Sequence, residues 1–260
     1  MSEMSAITSN RHQRILGIIK NMEMVRVDEL SEALDVSAVT VRRDLDIMDR
    51  KGLLVRTYGG ARKLDLPVGT QSERSFFEKG IVNTGEKTRI AQLAATLVQE
   101  DEIIFLNSGT TALFFFEALS TRVRVITNNA ATIVCERNQN VELLVLGGEY
   151  RAQSRSFVGD FAVNTLKGIH SHTTFLGING LSLEKGLTTS VLPECSVNQS
   201  MISHTSGKVI VLADYSKMDH VSNFVSAPLD EVDMVVTDDK APETVVKELQ
   251  ERGIEVLIAR

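Results

Sequence analysis

The chain has 260 residues, 43% of them hydrophobic, with a net charge of −6, two cysteines and no tryptophan. This is the composition of a globular protein, and no apolar run approaches the length of a membrane span. The first ten residues lack the apolar core of a signal peptide, and Cys135 and Cys195 stand too far apart to indicate a disulfide or a metal site, so we expect a cytoplasmic protein with reduced thiols.

Residues 1–63 have the pattern of a small helical domain. Apolar side chains recur at helical spacing over Arg11–Asn21 and again over Asp28–Leu34. The turn Asp35–Ser37, with Val36 as a buried plug, then leads into a third helix. Two short helices joined by a tight turn in this way are typical of a helix-turn-helix unit.

The third helix is followed by a hairpin. Ser37 is placed to cap the helix, and Gly52 to end it. The buried face of this helix is predicted to carry Val41, Leu45 and Met48. Leu53–Tyr58 then has the pattern of a strand, and Gly59–Gly60 that of a tight turn, which together predict a wing.

The surface of this winged helix-turn-helix is predicted to bind DNA. Residues 37–63 hold seven Lys or Arg against three Asp or Glu, a net charge of +4, whereas residues 64–260 carry −8. Thr40 and Arg43 are expected to reach base edges in the major groove, and Arg42 and Arg56 to contact phosphates. The predicted DNA-binding residues are Ser37, Thr40, Arg42, Arg43, Arg56, Tyr58 and Gly59. A winged helix used for protein docking is the blander alternative.

The same stretch resembles a known family. VDELSEALDVSAVTVRRDLDIMDRKGLLVRTYGGA is similar to the N-terminal domain of the DeoR family of bacterial transcription regulators. The VS-x-x-TVRRDL core and the R-x-YGGA exit are specific to that group. The resemblance implies a sequence-specific regulator that binds an operator.

After a connector predicted at 64–83, the pattern of residues 84–260 is that of a second, α/β domain. Short apolar strands alternate with helices, which predicts a mainly parallel sheet covered on both faces. Strands are expected at Glu102–Leu106, Val123–Thr127, Val141–Leu146, Thr174–Ile178, Lys208–Leu212, Met234–Thr237 and Ile254–Ile258. Helices are expected at Thr84–Leu97, Ala112–Leu119, Ala130–Arg137, Asp160–Leu166, Ser196–Ser203 and Pro242–Arg252.

Polar or glycine-rich loops follow four of these strands. Parallel sheets bind ligands at the carboxyl ends of their strands, and a loop of small residues that opens a helix can hold an anion through its N–H groups. The loops are Asn107–Thr111, Thr127–Asn129, Gly147–Gly148 and Ala213–Lys217, the last of which supplies an ammonium group. Together they predict a polyanionic ligand.

The second domain also resembles the DeoR family. The segments NSGTT, TNN, LGG, KGLTT and LADYSK are similar, in order, to its sensor domain, which is itself similar to the ribose-phosphate isomerase and glucosamine-phosphate deaminase group. This resemblance implies that a phosphorylated sugar binds here. The effector-binding residues implied by the loops and the resemblance are Asn107, Ser108, Gly109, Thr110, Thr111, Thr127, Asn128, Gly147, Gly148, Glu194 and Lys217. The family usually has Asp at the position of Asn107 and Ser-Ser-Lys-Phe at Tyr215–Met218.

The function that follows is transcription regulation, with repression of a sugar-metabolism operon favoured. An effector must then bind two states of the protein with different affinity. The alternative is a sugar-phosphate isomerase or deaminase fused to a DNA-binding head, with Glu194 as its candidate base. A metal site at His170 and His172 lacks further ligands at suitable spacing. We expect no cofactor, no metal and no membrane contact, and a homo-oligomer, dimer or tetramer, because pseudo-palindromic operators need paired heads.

Overall fold

The computed structural model describes residues 11–12, 14–19, 22, 24–50, 54–62 and 75–260. The chain forms two compact units, Met1–Val82 and Asn83–Arg260, here called the head and the sensor. The helix end at Gly52, the strand start at Leu53 and residues 64–74 of the connector were predicted from sequence and lie outside the described residues.

Three helices in the described part of the head share one apolar core. These are α1 (residues 11–12 and 14–19), α2 (Val27–Leu34) and α3 (Ala38–Arg50). The predicted face of α3 is confirmed, because Val41, Leu45 and Met48 are each fully buried. Ser37 does cap α3, since its hydroxyl accepts the Thr40 N–H at 3.2 Å.

The wing of the head has a strand that the sequence did not predict. Among the described residues, β1 (Met24–Arg26), β2 (Val55–Thr57) and β3 (Gly60–Arg62) form an antiparallel sheet in the order β1-β3-β2. The predicted turn at Gly59–Gly60 is wrong by one residue, because Tyr58 and Gly59 make the turn and Gly60 already belongs to β3. A Cβ at Gly60 would lie 1.9 Å from the Val25 carbonyl oxygen, so the approach of β1 requires glycine there.

A helix also forms in the segment whose composition indicates a connector. Phe76–Gly80 is helical (α4), with Ser75 as its cap. The Ser75 hydroxyl accepts the Glu78 N–H at 3.3 Å, and the Glu78 carboxylate accepts the Ser75 N–H at 2.7 Å. This reciprocal capping box is what starts the helix.

Seven strands of the sensor form one sheet, and all their pairings are parallel, as predicted. The order is β15-β14-β12-β9-β4-β5-β6. Their bounds are β4 Glu102–Leu106, β5 Val123–Thr127, β6 Val141–Val145, β9 Ser171–Gly177, β12 Thr205–Leu212, β14 Met234–Asp238 and β15 Glu255–Ala259. The chain reverses its direction of travel across the sheet between β4 and β9, which makes their carboxyl ends the natural ligand position.

Helices cover both faces of this sheet. They are α5 (Thr84–Ala95), α6 (Thr110–Ala118), α7 (Asp160–Leu166), α8 (Leu192–Ser203) and α9 (Glu243–Glu251). Alternation along β4 divides the core: Ile104 and Leu106 pack in the cluster with α5 and α6, whereas Phe105 packs with α7 and α8. The predicted helix at Ala130–Arg137 is wrong. A short 3-10 turn, Ala130–Val134, occupies the segment because the Asn129 side chain caps it through the Ala131 N–H.

Smaller strands flank the main sheet in the described part of the sensor, and the sequence analysis missed them. β7 (Glu149–Arg151) and β8 (Ser156–Val158) form a hairpin. β10 (Gly180–Ser182), β11 (Gly186–Thr189) and β13 (Phe224–Ala227) form an antiparallel sheet in that order. At three or four residues each they are too short for an alternation pattern to be recognised.

Candidate DNA-binding and effector sites

The exposed side of α3 carries the predicted DNA contacts. Arg42 and Arg43 are exposed, as is Val39, which is 72% accessible and was not predicted to contact DNA. The Thr40 hydroxyl lies 2.9 Å from that of Ser37, so the two hydroxyls already share a hydrogen bond at the start of the helix. An α3 surface with basic and small apolar side chains is suited to the major groove.

The wing places Tyr58 and Gly59 at its exposed tip. Arg56, which was predicted to contact a phosphate, already has partners within the protein. Its guanidinium pairs with the carboxylate of Asp46 on α3 and lies 3.4 Å from the Arg42 carbonyl oxygen. The wing strand and α3 are therefore joined by an ion pair, and Arg56 is not poised solely for DNA.

Beneath α3 lies an ionic cluster that the sequence analysis missed. Asp44 is 2% exposed and accepts hydrogen bonds from Arg11 and from His12 Nε2, the latter at 3.1 Å. Burial raises the pKa of Asp44, but the bonds from Arg11 and His12 outweigh it and leave that pKa below its usual range. The cluster fixes α3 against α1. Its sequence signal was an acidic residue on the buried face of an otherwise apolar stripe.

In the sensor, Asn107 follows β4 and is 2% exposed. Its Oδ1 accepts the Gly177 N–H at 2.7 Å, and its Nδ2 donates to the Gly177 carbonyl at 2.8 Å and to Asn198 Oδ1 at 3.0 Å. The side chain thus clamps the ends of β4 and β9 and reaches α8. An aspartate, the usual residue of the resembling family, has no N–H to make two of these bonds at neutral pH.

The predicted anion loop opens α6 directly. Ser108, Thr110 and Thr111 are buried, and Gly109 has φ of +134°, a value that favours glycine. The Gly109 carbonyl accepts a bond from Asn129 Nδ2 at 3.1 Å. The loops that follow β4 and β5 are therefore tied together at the carboxyl end of the sheet.

The loop after β5 is buried throughout. The Thr127 hydroxyl accepts the Asn129 N–H at 3.0 Å, and Asn128 Nδ2 donates to the Phe157 carbonyl at 3.0 Å. Asn128 Oδ1 is buried without a hydrogen-bond partner, an acceptor that a ligand hydroxyl would satisfy. Asn129, whose bonds join two predicted loops, was not among the predicted ligands.

Gly147 and Gly148 lead from β6 into the β7–β8 hairpin and are exposed. A Cβ at Gly148 would lie 2.4 Å from the Val158 carbonyl oxygen, and its φ is +141°. This glycine is therefore explained by the hairpin backbone. A ligand is not needed to account for it.

Glu194, in the first turn of α8, is 7% exposed. Its Oε1 accepts the Ser156 hydroxyl at 3.0 Å and lies 3.3 Å from an Arg151 guanidinium nitrogen. Arg151 also donates to the Ser154 hydroxyl at 2.9 Å. Glu194 was predicted from the sequence, whereas Arg151 was not, because its acidic partner Glu194 lies 43 residues further along the chain.

Lys217 lies in the 3-10 turn Tyr215–Lys217 after β12, and its N–H donates to the Asp214 carbonyl at 2.9 Å. β9 separates β12 from β4, so these two strands lie two strand spacings, about 10 Å, apart. Lys87, in α5, is a lysine that is only 3% exposed, although the helical pattern of its segment gave no functional signal.

The histidines considered as metal ligands contact other groups of the protein. His172 Nδ1 accepts the Ile103 N–H at 3.0 Å, and the His170 ring lies 5.7 Å from that of His204. Within the described residues, His, Cys, Asp and Glu side chains form no cluster of three or more that could hold a metal ion. No helix in the described part of the chain is both long and apolar enough to cross a membrane.

Comparison with known proteins matches both units. Residues 11–65 match the DeoR-like helix-turn-helix domain, and residues 82–239 match the DeoR C-terminal sensor domain. A protein of Escherichia coli O157:H7 whose name assigns it to repression of the aga operon is 33% identical over 255 residues, which cover 96% of this chain and 94% of that protein. The lactose phosphotransferase system repressor of Lactococcus lactis is 31% identical over 88% of this chain and 91% of its own.

The matched solved structures include a ribose 5-phosphate isomerase from Methanocaldococcus jannaschii. It is 17% identical and overlaps 52% of this chain and 55% of its own, with a TM-score of 0.37, too low for its chemistry to transfer. The alternative of an isomerase or deaminase has no support, because the matched family models and these relatives are regulators. The chain belongs to the DeoR family of DNA-binding transcriptional regulators.

Proposed function

We propose that this protein represses a sugar-metabolism operon in the bacterial cytoplasm and that a phosphorylated sugar changes its affinity for the operator. The relatives at 31–33% identity carry names of sugar-operon repressors and align over most of this chain. The net charge of +4 over residues 37–63, within an otherwise acidic protein, supports operator binding by the head.

The observation that carries the effector is the loop Asn107–Thr111. It joins the end of β4 to the start of α6 with small and hydroxyl side chains, and Asn129 fixes its Gly109 carbonyl. N–H groups at a helix start attract a phosphate, and the helix dipole contributes about 0.3–1 kcal/mol more. Lys217 follows β12, a strand about 10 Å from β4 in the same sheet, and supplies a cation for the ligand at this edge.

The sugar portion of the ligand would face the buried polar groups beside that loop. Asn128 Oδ1 offers an acceptor without a partner, and the Glu194 carboxylate, which already accepts the Ser156 hydroxyl, offers a second acceptor. Asn107 supports the floor of the site through Gly177 and Asn198, so its part is to hold the loop. Gly147 and Gly148 border the site from the hairpin.

Regulation then requires that the effector bind two states of the protein with different affinities. The head binds the operator through Ser37, Thr40, Arg42 and Arg43 of the α3 region and through the wing residues Arg56, Tyr58 and Gly59. Two heads on a pseudo-palindromic operator imply a homo-oligomer, a dimer or a tetramer.

A panel of sugar phosphates and their unphosphorylated sugars tests this proposal. We expect at least one phosphorylated compound to raise the melting temperature and to change affinity for an operator selected from random DNA. The free sugar should do so far less, because it lacks the charge that the loop meets. Lys217→Ala should abolish the response, whereas Lys247→Ala, on the exposed side of α9, should retain it. Equal stabilisation by free and phosphorylated sugar would overturn the phosphate assignment.

A further inference from the structure

The hairpin β7–β8 carries a cation, Arg151, at the effector site, and no sequence motif predicted this residue. Arg151 pairs with Ser156 across the hairpin, and Ser156 pairs in turn with Asn129 through an antiparallel bridge. Side chains directly opposite each other in antiparallel pairs lie on the same face. Arg151, Ser156 and Asn129 therefore share one face, and Asn129 bonds from it to the Gly109 carbonyl of the anion loop.

Glu194 covers this face from α8. Its Oε1 is held by the Ser156 hydroxyl at 3.0 Å and by Arg151 at 3.3 Å, and the carboxylate side chain is 10% exposed. The Arg151 side chain is 24% exposed, so solvent and small anions reach it. A largely buried carboxylate thus holds a partly accessible guanidinium beside the predicted phosphate loop.

We infer that Arg151 is an anion-binding residue of the effector site, which Glu194 holds when no effector is bound and which turns to the phosphate when one is. This inference rests on the proposed function of the same site. A guanidinium presents paired N–H donors that match two phosphate oxygens, and such charge-assisted pairs are stronger than neutral hydrogen bonds. Phosphate therefore competes with Glu194 for the same cation.

The exchange has a structural consequence. Arg151 lies on the hairpin and Glu194 on α8, so transfer of the guanidinium from Glu194 to the ligand breaks a link between these two elements. Ser156 retains its own bond to Glu194, which keeps the hairpin near α8. The effector thereby breaks the Arg151–Glu194 ion pair. A regulatory ligand needs such an interaction, which differs between the two states of the protein.

Calorimetric titration of the full-length protein with inorganic phosphate tests the inference. Arg151→Gln should weaken phosphate binding at least tenfold, and Arg151→Lys should recover part of it. Glu194→Gln should strengthen binding several-fold, because it removes the competing charge. The exposed pair Arg124 and Glu142, 2.8 Å apart on β5 and β6, supplies the matched control, and the same substitutions there should change nothing.

The opposite signs of the two effects distinguish exchange from a purely structural ion pair. A structural pair would make Arg151→Gln and Glu194→Gln weaken binding alike, and that result would overturn the inference. Phosphate binding by Arg151→Gln equal to that of the wild type would also overturn it, while leaving the proposed effector site intact. If neither the wild type nor Glu194→Gln responds to phosphate or to any sugar phosphate, both proposals fail.

Discussion

The candidate DNA contacts of the head and the candidate effector contacts of the sensor differ in what surrounds them. On α3, Arg42 and Arg43 extend into solvent, and the turn residue Tyr58 is fully exposed. In the sensor, Asn107 and Asn128 are buried and already bonded to the protein. The head offers a surface to a large rigid ligand, whereas the sensor must exchange internal hydrogen bonds for those of a small one.

This difference predicts which substitutions should change ligand binding and which should change stability. A change on the exposed face of α3 should alter binding and leave folding intact, since surface substitutions usually change stability by less than about 0.5 kcal/mol. A change among the buried polar groups of either unit should first alter stability. Asp44 and Asn107 are the sharpest tests, because each lies directly beside predicted ligand contacts.

The largest expected effect is that of Asp44→Ala. Removing this carboxylate leaves Arg11 and His12 without their shared partner, and breaking a buried ion pair costs about 3 kcal/mol or more. Hydrogen exchange of the α3 amides should show the loss, with sensor amides as the internal reference. Asp46→Ala removes an exposed carboxylate of the same helix and should cost less than about 1 kcal/mol. Equal losses would mean that burial of Asp44 has no energetic role.

Acid should act on the same cluster. Because the pKa of Asp44 is lower in the folded than in the unfolded protein, its contribution is complete above the unfolded value of about 4. It is lost as the pH falls through the lowered folded pKa. Head amides should therefore lose protection below about pH 4 in the wild type, and Asp44→Ala should lack this part of the acid response. An unchanged acid profile in the variant would contradict the assignment.

Asn107→Asp tests the sensor side of the comparison. The carboxylate cannot donate to the Gly177 carbonyl or to Asn198, so one part-buried and one buried acceptor lose their N–H partner at a cost of about 2 kcal/mol. Thermal unfolding should shift downward, while Asn140→Asp, at an exposed position, should have little effect. A variant as stable as the wild type would show that the Asn198 amide turns and donates its N–H to the aspartate.

Arg43→Ala should reduce discrimination between operator and unrelated DNA by about 2 kcal/mol, within the range of one base contact. Competition binding between a selected operator and a scrambled duplex measures this directly. Arg42→Ala is the matched comparison, because a lost phosphate contact weakens both duplexes equally. If the two variants behave alike, the base contact belongs elsewhere on α3.

The smallest effect is expected for Arg56→Ala. A full phosphate contact would lower the salt slope of binding by about one, but this guanidinium already pairs with Asp46. We expect a reduction clearly below one, and an increase in slope for Asp46→Ala, which releases Arg56 toward DNA. A full unit lost on Arg56→Ala would show that DNA displaces Asp46 completely.

Prediction from sequence succeeded where one contiguous pattern determines the structure. The α3 face follows from Val41, Leu45 and Met48 alone, and the parallel sheet follows from alternating helices and apolar strands. It failed where the partner lies far along the chain. The β1 strand forms by pairing with β3 at Gly60, more than 30 residues later, and the residues around β1 have no pattern that predicts a strand.

The effector site shows the same division. The loop Asn107–Thr111 was recognisable because it is one uninterrupted stretch between a strand and a helix. The Arg151–Glu194 pair joins residues 43 positions apart, and the Asn107–Asn198 bond joins residues 91 apart. Without coordinates, the number of possible polar pairs at such separations is too large for chemistry alone to choose among them.

The strand order of the sensor also bears on how the chain folds during synthesis. β4 has β5 on one side and β9 on the other, and β9 begins at Ser171, 65 residues after β4 ends at Leu106. One edge of β4 therefore stays open while those residues are translated, about 3–13 s at bacterial rates. In the head, α1 to α3 and the wing sheet are all synthesised by Arg62, so their packing partners are available much earlier. We expect nascent chains stopped after Leu106 and before Ser171 to carry a folded head and an incomplete, aggregation-prone sheet.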